Sequence, residues 1–450
     1  MKKALLPLLF LLFSATVMAG GQWTTIQNGQ LWTDNNGKSV QAHAPGFVLH
    51  NGTWYMVGED RANSWNPDVN LYSSTDLVHW RFEKKIIENG VTTSELGNSR
   101  MIERPKLMHN PQTGHFVVWC HYEAKDYSAS EAACFESETV DGTYNLVWSG
   151  RPLGIKSRDC NVFQDTDGSA YFISTTEENQ HLGLFRLSDD YHKAVSHTQL
   201  FPRQQREAPA IVKVGDTYFM FSSACSGWDP NQCKMAYTKN LQEGWTPLEN
   251  IGNDLAYDTQ AAAILEIKGT KQTTYLYVGD RWQDPHLPES KTIIFPIEFD
   301  GMQCKFHYRE RFDINFETGQ WRETPRKGIF ADKTRWKTTK DNTSLTIDLG
   351  KEQSIKGFVA IPREEAHARQ LVRRYAFYTS RDGKTWEKAI EDNWLPYWAA
   401  VEISARKARF VRLETLAVRP ATRPGRATRQ NASQTFTDIS AITDLDVLLN

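Results

Sequence analysis

Polar residues open short apolar runs at five places along the chain, and each run leads through a turn into an aromatic strand. The first three are His43-Ala44-Pro45-Gly46-Phe47 before Gly52-Thr53-Trp54-Tyr55, Glu103-Arg104-Pro105-Lys106-Leu107 before Gly114-His115-Phe116, and Arg158-Asp159-Cys160-Asn161-Val162 before Gly168-Ser169-Ala170-Tyr171. The last two are Glu207-Ala208-Pro209-Ala210-Ile211 before Gly215-Asp216-Thr217-Tyr218, and Thr259-Gln260-Ala261-Ala262-Ala263 before Thr273-Thr274-Tyr275. Each unit predicts a strand, a hairpin turn and a second strand. The anchors Tyr55, Phe116, Tyr171, Tyr218 and Tyr275 fall 47 to 61 residues apart. That is the length of a four-stranded blade, and repetition at this period predicts a five-bladed β-propeller.

Strict alternation in residues 215–222 (GDTYFMFS) and 274–278 (TYLYV), with little helical periodicity anywhere, predicts an all-β chain. Residues 295–321 are expected to supply the outer strands that close the ring, and Pro325-Arg326-Lys327-Gly328 reads as a connector. Beyond it, residues 344–349 (SLTIDL), 356–361 (KGFVAI), 375–379 (YAFYT) and 408–413 (ARFVRL) have the alternating faces of a β-sandwich. Residues 419–429, rich in Pro, Arg and Thr, read as a solvated surface loop.

Lys2-Lys3, an apolar run from Ala4 to Phe13, and the small residues Val17 and Ala19 predict an export signal cleaved near Ala19. The expected organisation is therefore a signal peptide at 1–19, a propeller at 20–323 and a β-sandwich at 324–450. No other apolar stretch is long enough for a membrane span, so an exported, soluble protein is expected. With 40% hydrophobic and 12% aromatic residues, 450 residues can pack more than one core. Removing Lys2 and Lys3 leaves 50 basic against 54 acidic residues, which makes nucleic acid a poor partner. Six cysteines do not make a disulfide scaffold; Cys225 with Cys233, and Cys120 with Cys134, are open either as bridges or as free thiols.

In a propeller the innermost strands of all blades start around one axis, which brings His43, Glu103, Asp159, Glu207 and Gln260 together. Three carboxylates, an imidazole and an amide in one pit are a costly structural core, because like charges and desolvation oppose ionisation. Such a cluster points to chemistry.

The motifs Glu103-Arg104-Pro105-Lys106, Ser157-Arg158-Asp159, Glu207-Ala208-Pro209-Ala210, Gly227-Trp228-Asp229-Pro230-Asn231 and Gly279-Asp280-Arg281-Trp282 resemble those of glycoside hydrolase family 43. Gly58-Glu59-Asp60 and Gln260 add a likeness to its exo-β-1,3-galactanase branch. The resemblance implies an inverting glycosidase, with Glu207 as general acid and Asp159 as the carboxylate that tunes and orients it. Family members usually carry an aspartate as base at the first blade strand, where this chain has His43. In the galactanase branch a glutamine matching Gln260 holds the water instead. An amide has negligible basicity, so Glu59 and Glu103 stay open as bases, or as ligands of sugar hydroxyls. Tyr122, Trp228 and Trp282 can pack on a sugar face or simply fill blades; His43 can bond substrate or fill the axis. No zinc-ligand pattern is present, and no metal or cofactor is expected.

Ile347-Asp348-Leu349-Gly350, Ser380-Arg381-Asp382-Gly383-Lys384-Thr385-Trp386 and Ala408-Arg409-Phe410-Val411-Arg412-Leu413 resemble a discoidin, or coagulation-factor type C, domain. The resemblance implies a jelly-roll sandwich that targets glycan or braces the propeller. The expected activity is exo-hydrolysis of β-1,3-galactan or arabinogalactan-type polysaccharide. An α-L-arabinofuranosidase or galactofuranosidase of the same fold, and a carbohydrate-binding protein without turnover, are the alternatives.

Overall fold

The computed structural model describes residues 22–62, 67–89, 100–363, 371–418 and 439–450. Both the export segment at 1–19 and the loop at 419–429 lie outside these residues. Among the described residues the fold is all-β apart from short 3-10 turns, and no helix is long and apolar enough to cross a membrane.

Five four-stranded antiparallel sheets follow one another, each pairing its strands in chain order. They begin with the strands His43–His50, Arg100–His109, Ser157–Gln164, Arg206–Val214 and Gln260–Lys268. Each of these packs against the first strand of the next sheet, and the fifth returns to the first. The approach is close: a Cβ on Gly46 would lie 2.6 Å from Lys106 Cα. The second strands, Thr53–Asp60, Phe116–Ala124, Ala170–Thr176, Thr217–Ala224 and Thr273–Arg281, carry the five aromatic anchors. Phe116, Tyr171 and Tyr218 are buried in the clusters between sheets, where aromatic area contributes most to packing.

The closure differs from expectation. Lys291–Asp300 and Gln303–Lys305 complete the fifth sheet, but Arg311–Ile314 leaves it to pair with Thr24–Gln27 and Trp321–Glu323 in a separate three-stranded sheet. Ile26, Phe312 and Ile314 of this sheet are buried with Met56 of the first sheet and Leu276 and Ile294 of the fifth. The small sheet thus joins the two ends of the ring by burying apolar surface at the seam.

The C-terminal strands form one seven-stranded sheet instead of two sheets assembled from short strands. Residues 344–349 and 356–361 belong to a single 19-residue strand, Ser344–Pro362, paired with a second, Ala400–Val418. Phe358 pairs with Val401 and Phe377 with Leu413, twelve residues apart on the same strand, or about 40 Å if extended. Their rings nevertheless stack at 4.4 Å. The sheet therefore doubles back on itself, and register shifts between Asp348 and Gln353 and between Ile355 and Gly357 supply the bends.

Candidate active site

The five strand starts are bulged, and the sequence shows why. Register shifts fall between His43 and Gly46, Glu103 and Lys106, Ser157 and Cys160, Glu207 and Ala210, and Ala261 and Ala263. In three of them a proline, which has no N–H for the ladder, follows a residue in the left-handed region: Ala44 at φ 48°, Arg104 at 51° and Ala208 at 49°. The extra residue breaks the pairing and turns the side chain before it towards the axis.

A cavity of about 220 Å³ opens there. Glu59, Glu103, Asp159, Glu207, Gln260, Trp228 and Trp282 all line it, as the sequence suggested. Two expected ligands do not. Tyr122 is fully buried between sheets with the Arg100 guanidinium 4.3 Å from its ring centroid. His43 lies beside Trp282, with ring centroids 6.1 Å apart, and shares a hydrogen bond of 3.2 Å with Gln41. Burial, reinforced by the Arg61 charge, lowers the His43 imidazole to about 3, so it is neutral at working pH.

Sequence reasoning missed Tyr127, Arg104, Arg61 and His121. Tyr127 lies on the loop after the second sheet's second strand and donates its hydroxyl to Glu103 at 3.0 Å. Arg61 donates Nε to Glu59 at 2.6 Å and Nη2 to Glu103 at 3.1 Å, bridging two carboxylates that would otherwise repel. His121 sits between Glu103 at 3.2 Å and Glu123 at 3.1 Å. Burial alone would depress this imidazole, but the two carboxylates outweigh it and raise it to about 9. Burial pushes Glu59 above the ordinary carboxylate range; for Glu103 the burial effect is overcome by His121 and Arg61, which hold it low.

Arg104 is the hub. Its Nε pairs with Asp159 Oδ2 at 2.8 Å, its Nη2 donates to Gln260 Oε1 at 2.7 Å, and its backbone N–H donates to Glu59 Oε1 at 2.7 Å. Gln260 also accepts from Trp282 Nε1 at 2.9 Å, and its Nε2 donates to Glu207 Oε1 at 3.1 Å and to Ser223 Oγ at 3.0 Å. Both oxygen partners are pure donors, so the amide can face only one way.

A few residues below the cavity, Lys106 Nζ donates to the carbonyls of Ala44, Pro45 and Ala262 at 2.9, 2.6 and 3.0 Å. The Lys106 amine thus fills the axis and ties three sheets together, while burial, reinforced by the Arg104 charge, lowers it to about 7. Asp280, fully buried nearby, accepts from the Ala44 N–H at 2.9 Å, and burial pushes its carboxyl up. All six cysteines are free thiols. No cluster of His, Cys, Asp and Glu suited to a metal ion occurs among the described residues.

A ring of antiparallel sheets around a pit of carboxylates with tryptophans at its wall defines a propeller-type glycosidase. The model for glycosyl hydrolases family 43 matches residues 41–282, and that for the F5/8 type C domain matches residues 314–430. The chain belongs to glycosyl hydrolases family 43 and carries a C-terminal F5/8 type C domain. It is similar to the crystal structure of an exo-β-1,3-galactanase from Clostridium thermocellum, at 36% identity and TM-score 0.65, over 72% of this chain and 73% of that one. An exo-β-1,3-galactanase from Phanerochaete chrysosporium, solved with galactose, shares the fold at 22% identity and TM-score 0.73, over 94% of this chain and 100% of that one. An extracellular exo-α-(1→5)-L-arabinofuranosidase from Cellvibrio japonicus is a more distant relative, 21% identical over 266 residues, 52% of this chain and 73% of its own length.

Proposed function

We propose that the chain is an exported, inverting exo-glycosidase of β-1,3-galactan or arabinogalactan-type polysaccharide, with its active site on the axis of a five-bladed propeller spanning residues 20–323. The observation that carries this reading is the likeness to an exo-β-1,3-galactanase at 36% identity. The geometry fits it: a cavity of about 220 Å³ lined by Glu207, Asp159 and Gln260 has room for a terminal sugar ring.

In this reading Glu207 donates its proton to the glycosidic oxygen as the bond to the anomeric carbon breaks, and water adds to that carbon from the opposite face. Asp159, fixed by Arg104, orients the acid and the sugar. Gln260 positions the water once the sugar enters between its amide and Glu207, which lie 3.1 Å apart at rest and must separate for acid and water to act on opposite faces. Of the two carboxylates open as base, Glu59, held by Arg61 and the Arg104 N–H, is read as the one that takes the water's proton, whereas Glu103 is engaged by His121, Arg61 and the Tyr127 hydroxyl. Glu103, Tyr127 and the aromatic wall of Trp228 and Trp282 then bind hydroxyls and the apolar sugar face.

Purified protein incubated with β-1,3-galactobiose and β-1,3-galactan, followed by NMR of the nascent anomer, tests the proposal. Release of α-galactose is expected. Turnover of arabinofuranosyl or galactofuranosyl substrates without release of galactose would overturn the sugar assignment, and a β-anomer would overturn inversion.

A further inference from the structure

The turn that delivers Gln260 to the pit is built against its own backbone preference. Ala256, Tyr257 and Asp258 have φ of 47°, 57° and 57°, three successive left-handed residues without a glycine. Such a turn persists only where surrounding contacts over-determine it. Asn253 Oδ1 supplies one from within the turn, accepting from the Tyr257 N–H at 2.7 Å. Others come from further away.

Arg281, 2% exposed, donates Nη2 to the Tyr257 carbonyl at 3.0 Å and Nε to the Asp258 carbonyl at 3.4 Å. The same guanidinium donates Nη1 to the carbonyl of Tyr397 at 2.9 Å. Tyr397 belongs to the stretch that matches the F5/8 type C domain. Its neighbour Trp398 is itself left-handed, at φ 55°, and meets the Tyr257 ring edge to face at 5.6 Å. Both rings belong to one apolar cluster that runs without a break from Phe221 and Phe295 of the ring to Phe358 and Val411 of the C-terminal sheet. A detachable module would present a smaller and more polar contact. Arg281 is also the direct neighbour of Trp282, whose indole holds the Gln260 oxygen.

We propose that the C-terminal domain is a positioning element of the active site: its Tyr397–Trp398 loop, acting through Arg281 and Tyr257, fixes the turn that aims Gln260. The inference rests on the role of Gln260 in the proposed function for its kinetic consequence, but not for its structural one. Trp398 and Arg281 act through Gln260 and do not touch substrate.

The test uses the full chain with Trp398→Ala, Trp398→Phe and Arg281→Lys, reading kcat and KM on β-1,3-galactobiose together with hydrogen exchange along the chain. A lysine ammonium donates from one point and cannot reproduce a planar fork whose three separate nitrogens reach the Tyr257, Asp258 and Tyr397 carbonyls. Trp398→Ala and Arg281→Lys are expected to speed exchange in residues 255–262 by at least about tenfold, with residues 117–124 unchanged. The kcat should fall by at least about tenfold while KM moves little, as a small misplacement of a catalytic group does. Trp398→Phe should recover most of both. Unchanged exchange at 255–262, exchange raised uniformly along the chain, or wild-type kcat in both variants would overturn the inference. Should Trp398→Ala fail to fold, Trp398→Phe against Arg281→Lys gives the same comparison. A wild-type protein that turns over no galactoside would defeat the substrate reading alone, because the exchange measurement decides the inference without it.

Discussion

Gln260 Nε2 lies 3.1 Å from Glu207 Oε1, and that contact takes the amide's last free valence. Arg104 and Trp282 occupy its oxygen, and Ser223 and Glu207 its nitrogen. At rest the amide therefore orients the acid, and it can hold a water only by releasing a partner. Gln260→Ala is expected to lower kcat by about 10²-fold or more, within the usual contribution of a positioned proton-transfer group. Ser223→Ala removes only one anchor and should cost far less. Steady-state kinetics of the two variants on β-1,3-galactobiose check the ranking; equal losses would show that the anchor, not the amide, matters.

For Glu207 the discriminating variable is the leaving group. A general acid is needed in proportion to the basicity of the departing oxygen. Glu207→Gln should reduce hydrolysis of β-1,3-galactobiose by about 10³-fold, yet reduce hydrolysis of a dinitrophenyl β-galactoside much less, because that phenolate leaves unprotonated. Equal losses on both substrates would move Glu207 out of the acid role.

The strand starts were legible because the chain marks them twice, with a polar residue and, in three units, with the proline that forces a bulge. Parity was the harder signal. Glu103 faces His121 across the ladder, so His121 and Glu123 share the site's face and Tyr122 turns the other way into the core. Of the two roles open to Tyr122, burial in the core is the one the structure shows, because the phase of the alternation is set only by the pairing partner. Tyr127 was hidden for another reason: it reaches Glu103 from a loop where its own φ is 58°, a conformation no periodicity announces. Arg104 stood in a recognised motif, but its side chain bridges residues 55 and 156 positions away, Asp159 and Gln260, which only the closed ring brings together. The doubled C-terminal sheet escaped for the same cause, since bulges cut two long strands into apparently separate short ones.

Arg104 offers the sharpest test of that hub. Arg104→Met would leave Asp159 without its cation, Gln260 Oε1 with one donor and the Ala261 carbonyl with a bond fewer. Asp159 keeps about a quarter of its side chain in solvent, which softens the loss. Stability is expected to drop by about 1–3 kcal/mol, measured by chemical denaturation, from the hydrogen bonds lost to a buried charge. Activity should fall by about 10²-fold. Arg104→Lys should recover part of the stability and little of the activity, since a point charge cannot replace a fork that fixes two groups at once.

His121 makes the folded protein sensitive to alkali. Glu103 and Glu123 flank the imidazole, Tyr127 lies with its ring centroid 6.2 Å away, Arg61 faces Glu103, and Arg158 Nε lies 3.8 Å from Glu123. The imidazole is raised from 6.5 unfolded to about 9 folded, so between these values the folded state binds more protons than the unfolded one. The stabilisation is therefore fully present below about pH 6.5 and is lost as pH rises through about 9; a shift of this size corresponds to about 3 kcal/mol at most. The contribution of His121 to Tm, read as wild type minus His121→Gln, should fall across that window. His121→Gln should start lower at pH 6.5 and change less with pH, because it has no proton to lose there. Thermal melts of both proteins between pH 6 and 10 check this. Parallel slopes would mean that His121 does not carry the charge between Glu103 and Glu123, which Arg61, Arg158, the Tyr127 hydroxyl and the N–H groups of Ala129 and Ser130 would then hold in place.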